Sequence, residues 1–280
     1  MSKINISCGK ISALLSTKGA CIDELRFGGT TVGERGITVG RFANRIAGAR
    51  IVLNGIEHAL SSNENGNTLH GGEVGFDQRE WQVCDEGPDR ACFELVSEDG
   101  DQGFPGRVTV RAEYRLTEDS IRICYTAETD APTVINLTNH LYFNLNGGGP
   151  AEDHLLKIDA DRVLEVDEQL IPTGRMLNVR GTRFDHRRIR RFDPDFDCCY
   201  ALNGQDLKRA AVLKGCRSRI ALTLSTDQPG LQLYNTDTHI CLETQHFPDS
   251  PHHPEFPDTT LLPEKPFKTE TIITLKQETK

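Results

Sequence analysis

No stretch of this chain approaches the ~18 consecutive apolar residues that a membrane-spanning helix requires. The opening segment, Met1 to Lys10, has no apolar core of the kind a secretory leader carries. Positive charge is in deficit: 32 Lys and Arg against 41 Asp and Glu leave a formal charge of −9. That balance argues against nucleic acid or an anionic membrane surface as a partner. The local exception is the basic run His186-Arg-Arg-Ile-Arg-Arg191, which has the composition to meet a phosphate but reads as a solvated loop. The nine cysteines include no Cys-x-x-Cys pair, so neither a zinc ribbon nor a disulfide framework is expected. Cys198 and Cys199 are adjacent and cannot form an unstrained bridge. Reduced thiols in a soluble, cytoplasmic protein fit this usage.

Catalytic signatures of several large enzyme classes are missing too. There is no Gly-x-Ser-x-Gly elbow, no dinucleotide fingerprint and no phosphate-binding P-loop. Gly147-Gly-Gly-Pro150 reads as a loop, because no helical pattern follows it. No long apolar period of 3.6 residues occurs, and no linker, repeat or charge block divides the chain.

Turn formers and period-two alternation are what the sequence has instead. It carries 25 glycines and 13 prolines, and its 37% hydrophobic content is adequate for a core. In Val108 to Leu116 the even positions are Val, Val, Ala, Tyr and Leu, and the odd ones are Thr, Arg, Glu and Arg. After a short polar turn the alternation resumes at Ile121 to Ala127, which predicts a hairpin with one wet face. Trp81 to Cys84 and Ala91 to Val96 read the same way. Further strands are predicted at 51–53, 155–160, 220–225, 231–234, 240–247 and 271–275. The expectation is all-β: one large antiparallel β-sandwich domain spanning residues 1–280.

Two segments combine this patterning with proton-transfer residues. In 135–145, Ile135, Leu137, Leu141, Phe143 and Leu145 share one face with Asn139, while Asn136, Thr138, His140, Tyr142 and Asn144 share the other. Exposed polar faces usually carry Lys and Glu, whereas this set of amides, hydroxyl, phenol and imidazole suits polyol recognition. A solvent-facing strand with an incidental histidine is the competing reading. In 240–247, Glu243 has no Lys or Arg within several positions, and a partly buried carboxylate without a cationic partner acquires a raised pKa. A surface glutamate on an edge strand is the alternative there. His140 and Glu243 on neighbouring strands can supply an acid and a base to one bound molecule. Gln232 and Tyr234 add an amide and a phenol on the face opposite Leu231 and Leu233. His246, Asp249, His252 and His253 crowd one region, but their spacing argues against a metal first shell, and no metal or cofactor is expected.

The chain also resembles the aldose 1-epimerase (galactose mutarotase) family from about Gly40 to the C-terminus. The resemblance rests on Gly40-Arg-Phe-Ala-Asn-Arg-Ile46, Asn67-Thr-Leu-His-Gly-Gly72, Gly75-Phe-Asp-Gln-Arg-Glu-Trp81, Asp99-Gly-Asp-Gln-Gly-Phe-Pro-Gly106, Asn136 to Leu145, Ile171-Pro-Thr-Gly174, Gly181-Thr-Arg-Phe-Asp185, Phe196-Asp197 and Leu242 to Pro251. It implies a β-sandwich with an open sugar cleft on one sheet and no cofactor. It further implies Glu243 as general base on the anomeric hydroxyl and His140 as general acid on the ring oxygen. Asn44, Arg45, His70, Tyr142, Asp197 and Gln232 match the family's sugar-contacting positions. The implied partner is a small aldose, and the chain is expected to be a monomer or homodimer. A hexose-6-phosphate epimerase of the same fold needs a cationic pocket, for which Arg41, Arg79 or the 187–191 run are candidates. A non-catalytic sugar-binding protein is the third possibility. The chain departs from the family pattern in three places. It is shorter around Gly28–Gly40, it has Cys198 where the family usually has histidine, and its connection from Tyr234 to Leu242 is brief.

Overall fold

In the computed structural model, which describes residues 2–279, the alternating segment Val108–Leu116 is a strand over those same residues. Its Val, Ala, Tyr and Leu positions are buried, and Arg111, Glu113 and Arg115 are exposed. The turn after it leads into Ser120–Thr129, paired antiparallel from Val108 opposite Thr129 to Leu116 opposite Ile121. Each strand predicted from alternation is present, with ends shifted by a few residues, as at Ile240–Gln245.

Two large sheets account for the architecture. One has ten strands in the spatial order Lys3–Cys8, Ile11–Ser16, Cys21–Phe27, Thr30–Val39, Thr138–Phe143, Ile240–Gln245, Gly230–Asn235, Asp197–Ala201, Arg162–Val166 and Pro172–Asn178. The other has nine, in the order Arg190–Arg191, His154–Ile158, Lys208–Gly215, Ile220–Thr226, Phe267–Gln277, Ser120–Thr129, Val108–Leu116, Arg90–Ser97 and Gln82–Glu86. Neighbouring strands in both run antiparallel. Leu141, Phe143, Leu231, Leu233 and Leu242 of the first sheet share one core with Val110, Ala112, Ile123, Leu222 and Ile273 of the second. This is the antiparallel β-sandwich that the alternation implies. No helix among the described residues is long and apolar enough to cross a membrane. All nine cysteines are free thiols.

Several strands carry no clean sequence signal, among them Thr30–Val39. Its Gly33 and Gly36 look like turn punctuation, yet they lie inside the strand. A Cβ on Gly36 would stand 2.7 Å from Leu141 Cδ1 and 2.8 Å from Asn139 Oδ1, so glycine is there to let the neighbouring strand approach. The family-pattern shortening near this segment coincides with a tight turn at Gly28–Gly29 joining two paired strands.

The segment from Gly40 to about Gln78 leaves the first sheet and folds over its outer face. It forms two small hairpin pairings, Arg45–Ile46 with Thr68–Leu69 and Arg50–Leu53 with Ile56–Ala59. Phe42, Ile46, Ala49, Ile51 and Leu60 give it a separate apolar cluster with Phe104 and Val134. Asn136 ties it to the sheet. The Asn136 amide donates to the carbonyls of Ala43 and His246 at 3.3 and 3.2 Å, and its oxygen accepts the His246 N–H at 2.9 Å.

Candidate active site

Strand register lays out the floor of a cleft. Ile37 pairs with His140, Gln232 with Glu243, and Cys199 with Gln232. Tyr142 pairs with Cys241, and beyond that pair the two strands bring the His140 ring to the Glu243 carboxyl. A second row joins Tyr142, Cys241, Tyr234 and Asp197. Directly paired residues in an antiparallel sheet point to one side, so both rows face away from the sandwich core. The excursion above the sheet adds Asn44, Arg45, Leu69 and His70 as a wall. Together these residues enclose an open cavity of about 300 Å³, lined by Ile37, Asn44, Arg45, Leu69, His70, His140, Tyr142, Asp197, Gln232, Tyr234 and Glu243.

At its centre His140 Nε2 lies 3.5 Å from Glu243 Oε1. Glu243 is 2% exposed, and its other oxygen has no partner among the described residues. Burial, reinforced by the neighbouring Asp197 carboxylate, pushes Glu243 well above the ordinary carboxylate range. Burial also lowers His140, against the raising influence of a backbone hydrogen bond and Asp197. The Asp197 charge opposes the shift, but loss of water outweighs it. Tyr142 stacks on the His140 ring at 4.9 Å, the Arg35 guanidinium lies over the tyrosine ring 4.3 Å from its centre, and Tyr234 meets His140 edge-on at 6.0 Å.

The wall residues are held by one another. The Asn44 N–H donates to His70 Nδ1 at 3.1 Å, so a neutral His70 carries its proton on Nε2. Burial pushes His70 down to about 3, assisted by His140 and Arg45. It is therefore a neutral hydrogen-bond donor, unsuited to be a proton source. Arg45 grips Glu64 through Nε and Nη2, both at 2.7 Å, and leaves Nη1 3.9 Å from Asp197. Gln232 donates to Asp197 at 2.5 Å while its own oxygen is buried without a partner. Unpartnered atoms on Glu243, Gln232 and His140 in one cavity are what a site awaiting a hydroxyl-rich ligand leaves open.

A model of the family described as aldose 1-epimerase matches residues 2–274. The chain is 37% identical over 254 residues to the aldose 1-epimerase of Escherichia coli K12, covering 79% of this chain and 73% of that protein. It is 38% identical over 258 residues to the galactose mutarotase of Bos taurus, covering 81% and 75%. The chain belongs to the aldose 1-epimerase family. Among solved structures, the GalM/aldose epimerase homologue from C. elegans superposes with a TM-score of 0.94 at 25% identity, covering 99% of each chain. Galactose 1-epimerase from Lactobacillus acidophilus does so with 0.89 at 26%, covering 99% of this chain and 95% of the other.

All eight residues singled out from this family's motifs border the one cavity: Asn44, Arg45, His70, His140, Tyr142, Asp197, Gln232 and Glu243. Tyr234, Ile37 and Leu69 border it as well. Tyr234 was visible as a phenol sharing a face with Gln232, but the two apolar residues carry no sequence signal. The polar face of 136–144 needs correction, because only His140 and Tyr142 reach the cavity. Asn136 is the clip described above, Thr138 is buried, and Asn144 clamps the glycine loop through Gly149 O and Thr238 O at 2.9 and 2.7 Å. Cys198, where the epimerase pattern has histidine, turns into the sandwich core, beneath the cleft rather than in it.

None of the three candidate phosphate grips borders the cavity. Arg41 is buried and donates to Pro105 O, Gly106 O, Thr133, Ser97 and Glu98 O. Arg79 is ion-paired with Asp101. The 187–191 run lies elsewhere. In the histidine-rich region His252 Nδ1 and His253 Nε2 approach Asp249 at 2.6 and 3.4 Å, His253 Nε2 also meets Pro172 O at 3.1 Å, and His246 turns towards Phe267. Among the described residues no group of three His, Cys, Asp or Glu is arranged to hold a metal ion.

Proposed function

We propose that this epimerase interconverts the α and β anomers of a free aldohexose, with Glu243 as base and His140 as acid. The observation that carries the reading is the pair itself, Nε2 and Oε1 at 3.5 Å on the floor of a cavity walled by amides, phenols and carboxylate. Both oxygens that must exchange protons are bonded to C1, so one acid and one base in van der Waals reach of each other can serve them together. Glu243 removes the proton from the C1 hydroxyl while His140 protonates the ring oxygen, and the ring opens to the aldehyde. Rotation about C1–C2 exposes the other carbonyl face, and the same two groups, with roles reversed, close the ring to the other anomer. Asn44, Arg45, the His70 N–H, Tyr142, Asp197 and Gln232 orient the sugar hydroxyls. A free sugar is favoured over its 6-phosphate because Arg45, the guanidinium in the cavity lining, is already held bidentately by Glu64. The reading treats the chain as one mutarotase-like unit working in a reducing compartment such as the cytoplasm, in keeping with its free thiols.

The test is Glu243→Gln, which keeps shape but cannot accept the C1 proton. Polarimetry on galactose and glucose should show kcat reduced by about two orders of magnitude or more with KM little changed. Near-normal turnover sinks the assignment, and activity only on glucose 6-phosphate overturns the substrate.

A further inference from the structure

Away from the cleft, the structure divides the basic run into parts with different roles. His186 turns inward beside the Tyr200 hydroxyl at 3.3 Å, and Arg191 reaches Glu152 O and Asp153. Arg187, Arg188 and Arg190 instead join Arg180, Gly181, Thr182 and Asp185 around an open pocket of about 790 Å³, more than twice the volume of the sugar cavity. Four guanidinium groups therefore face one lining carboxylate. Asp185 is already engaged: Arg187 grips both its oxygens at 2.8 Å, and this contact holds its carboxyl well below the usual range. Arg187 also approaches Asp161 at 3.3 Å. Arg190 has one long contact, to the Asp185 carbonyl at 3.4 Å. The guanidinium groups of Arg180 and Arg188 have no hydrogen-bond or ion-pair partner among the described residues.

We propose that this pocket is a second, non-catalytic ligand site that takes a phosphate-type oxyanion. Four guanidinium groups outnumber the carboxylates beside them, Asp185 and Asp161, both of which meet Arg187; the excess positive charge is self-repelling, and a bound anion relieves that repulsion. The ligand chemistry follows from the donors. Arginine forks offer paired N–H groups in a plane, and a phosphate presents three acceptor oxygens and up to two charges to several forks at once, where a carboxylate presents two and one. The pocket shares no lining residue with the sugar cavity, so its occupant is not the reacting sugar.

The experiment is calorimetric titration of the full chain with inorganic phosphate, pyrophosphate and phenyl phosphate at low ionic strength, against sodium chloride at equal ionic strength. Saturable binding at one site per chain is expected, weakened at least ten-fold in the Arg180→Gln/Arg188→Gln double variant. Both side chains are exposed, so the variant should fold with unchanged thermal stability and mutarotate galactose at the wild-type rate. Comparing phosphate with phenyl phosphate distinguishes a free anion from a phosphate ester. Binding no stronger than the chloride control, binding unaltered in the double variant, or displacement by saturating galactose each overturns the proposal.

Discussion

Glu243 is a buried carboxyl with no lysine or arginine partner among the described residues, and this makes the proposed base a thermodynamic burden. Its folded-state pKa lies above the ordinary ~4.3. Between those two values the folded chain binds more protons than the unfolded one, so stability falls as pH rises through that window and stays lower above it. Glu243→Gln removes the titration. We expect the variant to melt higher than wild type at pH 7–8, with the difference vanishing near pH 4. Each pKa unit corresponds to about 1.4 kcal/mol, and each kcal/mol to roughly 2–4 °C in a chain of this size. Calorimetric melting across pH checks this, and a gain independent of pH contradicts it. The partner residue makes a kinetic prediction. The working pair holds one proton, and burial shifts that proton towards Glu243 while the 3.5 Å separation favours the ion pair. The kcat/KM profile should be bell-shaped, with both limbs belonging to the pair. In His140→Asn the alkaline limb should disappear and the rate should fall ~10²–10⁴-fold. The surviving acid limb then reports Glu243 alone and should lie well above pH 4.3. An unchanged alkaline limb removes His140 as the acid. His70, lowered to about 3, does not offer a ready replacement.

At the scale of elements, the site depends on keeping the 40–78 excursion seated on the sheet. Asn136 carries that connection with three hydrogen bonds, to Ala43 on the excursion and to both backbone groups of His246, just past the strand that holds Glu243. Asn44 and Arg45 follow immediately after Ala43. Asn136→Leu leaves two carbonyls and an N–H buried without partners, each costing about 1–3 kcal/mol. The expected signature is a lowered melting temperature together with a raised KM for galactose, because wall and floor no longer hold their spacing. A stability loss with KM unchanged would show that the wall is held by other contacts, such as the Arg45–Glu64 fork. The predicted hairpins survived because alternation is a local property. Thr30–Val39 escaped notice because its glycines serve a cross-strand approach to Leu141, which no neighbour in sequence announces.

For the whole molecule, Arg41 is a buried cation that links the excursion's root to the second sheet's edge. Its guanidinium is lowered to about 10 by burial, yet its terminal nitrogens bond acceptors on Ser97, Glu98, Pro105, Gly106 and Thr133. Arg41→Met strands those carbonyls and should cost about 3–5 kcal/mol, seen as a fall in melting temperature of roughly 10 °C. The sugar KM should change little in protein that remains folded. A selective loss of sugar affinity with normal stability would return Arg41 to the list of ligand contacts.

The sequence by itself determined the class of fold and the chemical vocabulary of the site. Period-two alternation with frequent turn formers leaves an antiparallel sandwich as the way to bury one face of each strand. The residue types at 140, 142, 232 and 243 suit hydroxyl recognition and proton transfer, and the family resemblance implies 44, 45, 70 and 197 beside them. Only the tertiary structure decided which polar side chains open to the cleft. Parity assigns Asn136, Thr138, His140, Tyr142 and Asn144 to one face, but the covering excursion and the 144–149 loop take the ends of that face and leave its middle open. It also decided the protonation balance, since burial depends on what packs above the strand and overrode the charge of Asp197 beside His140. The same holds for arginine: Arg41 is buried with both terminal nitrogens bonded, Arg45 is forked to Glu64, and Arg180 and Arg188 stand open, because the partners that separate them come from distant segments of the chain.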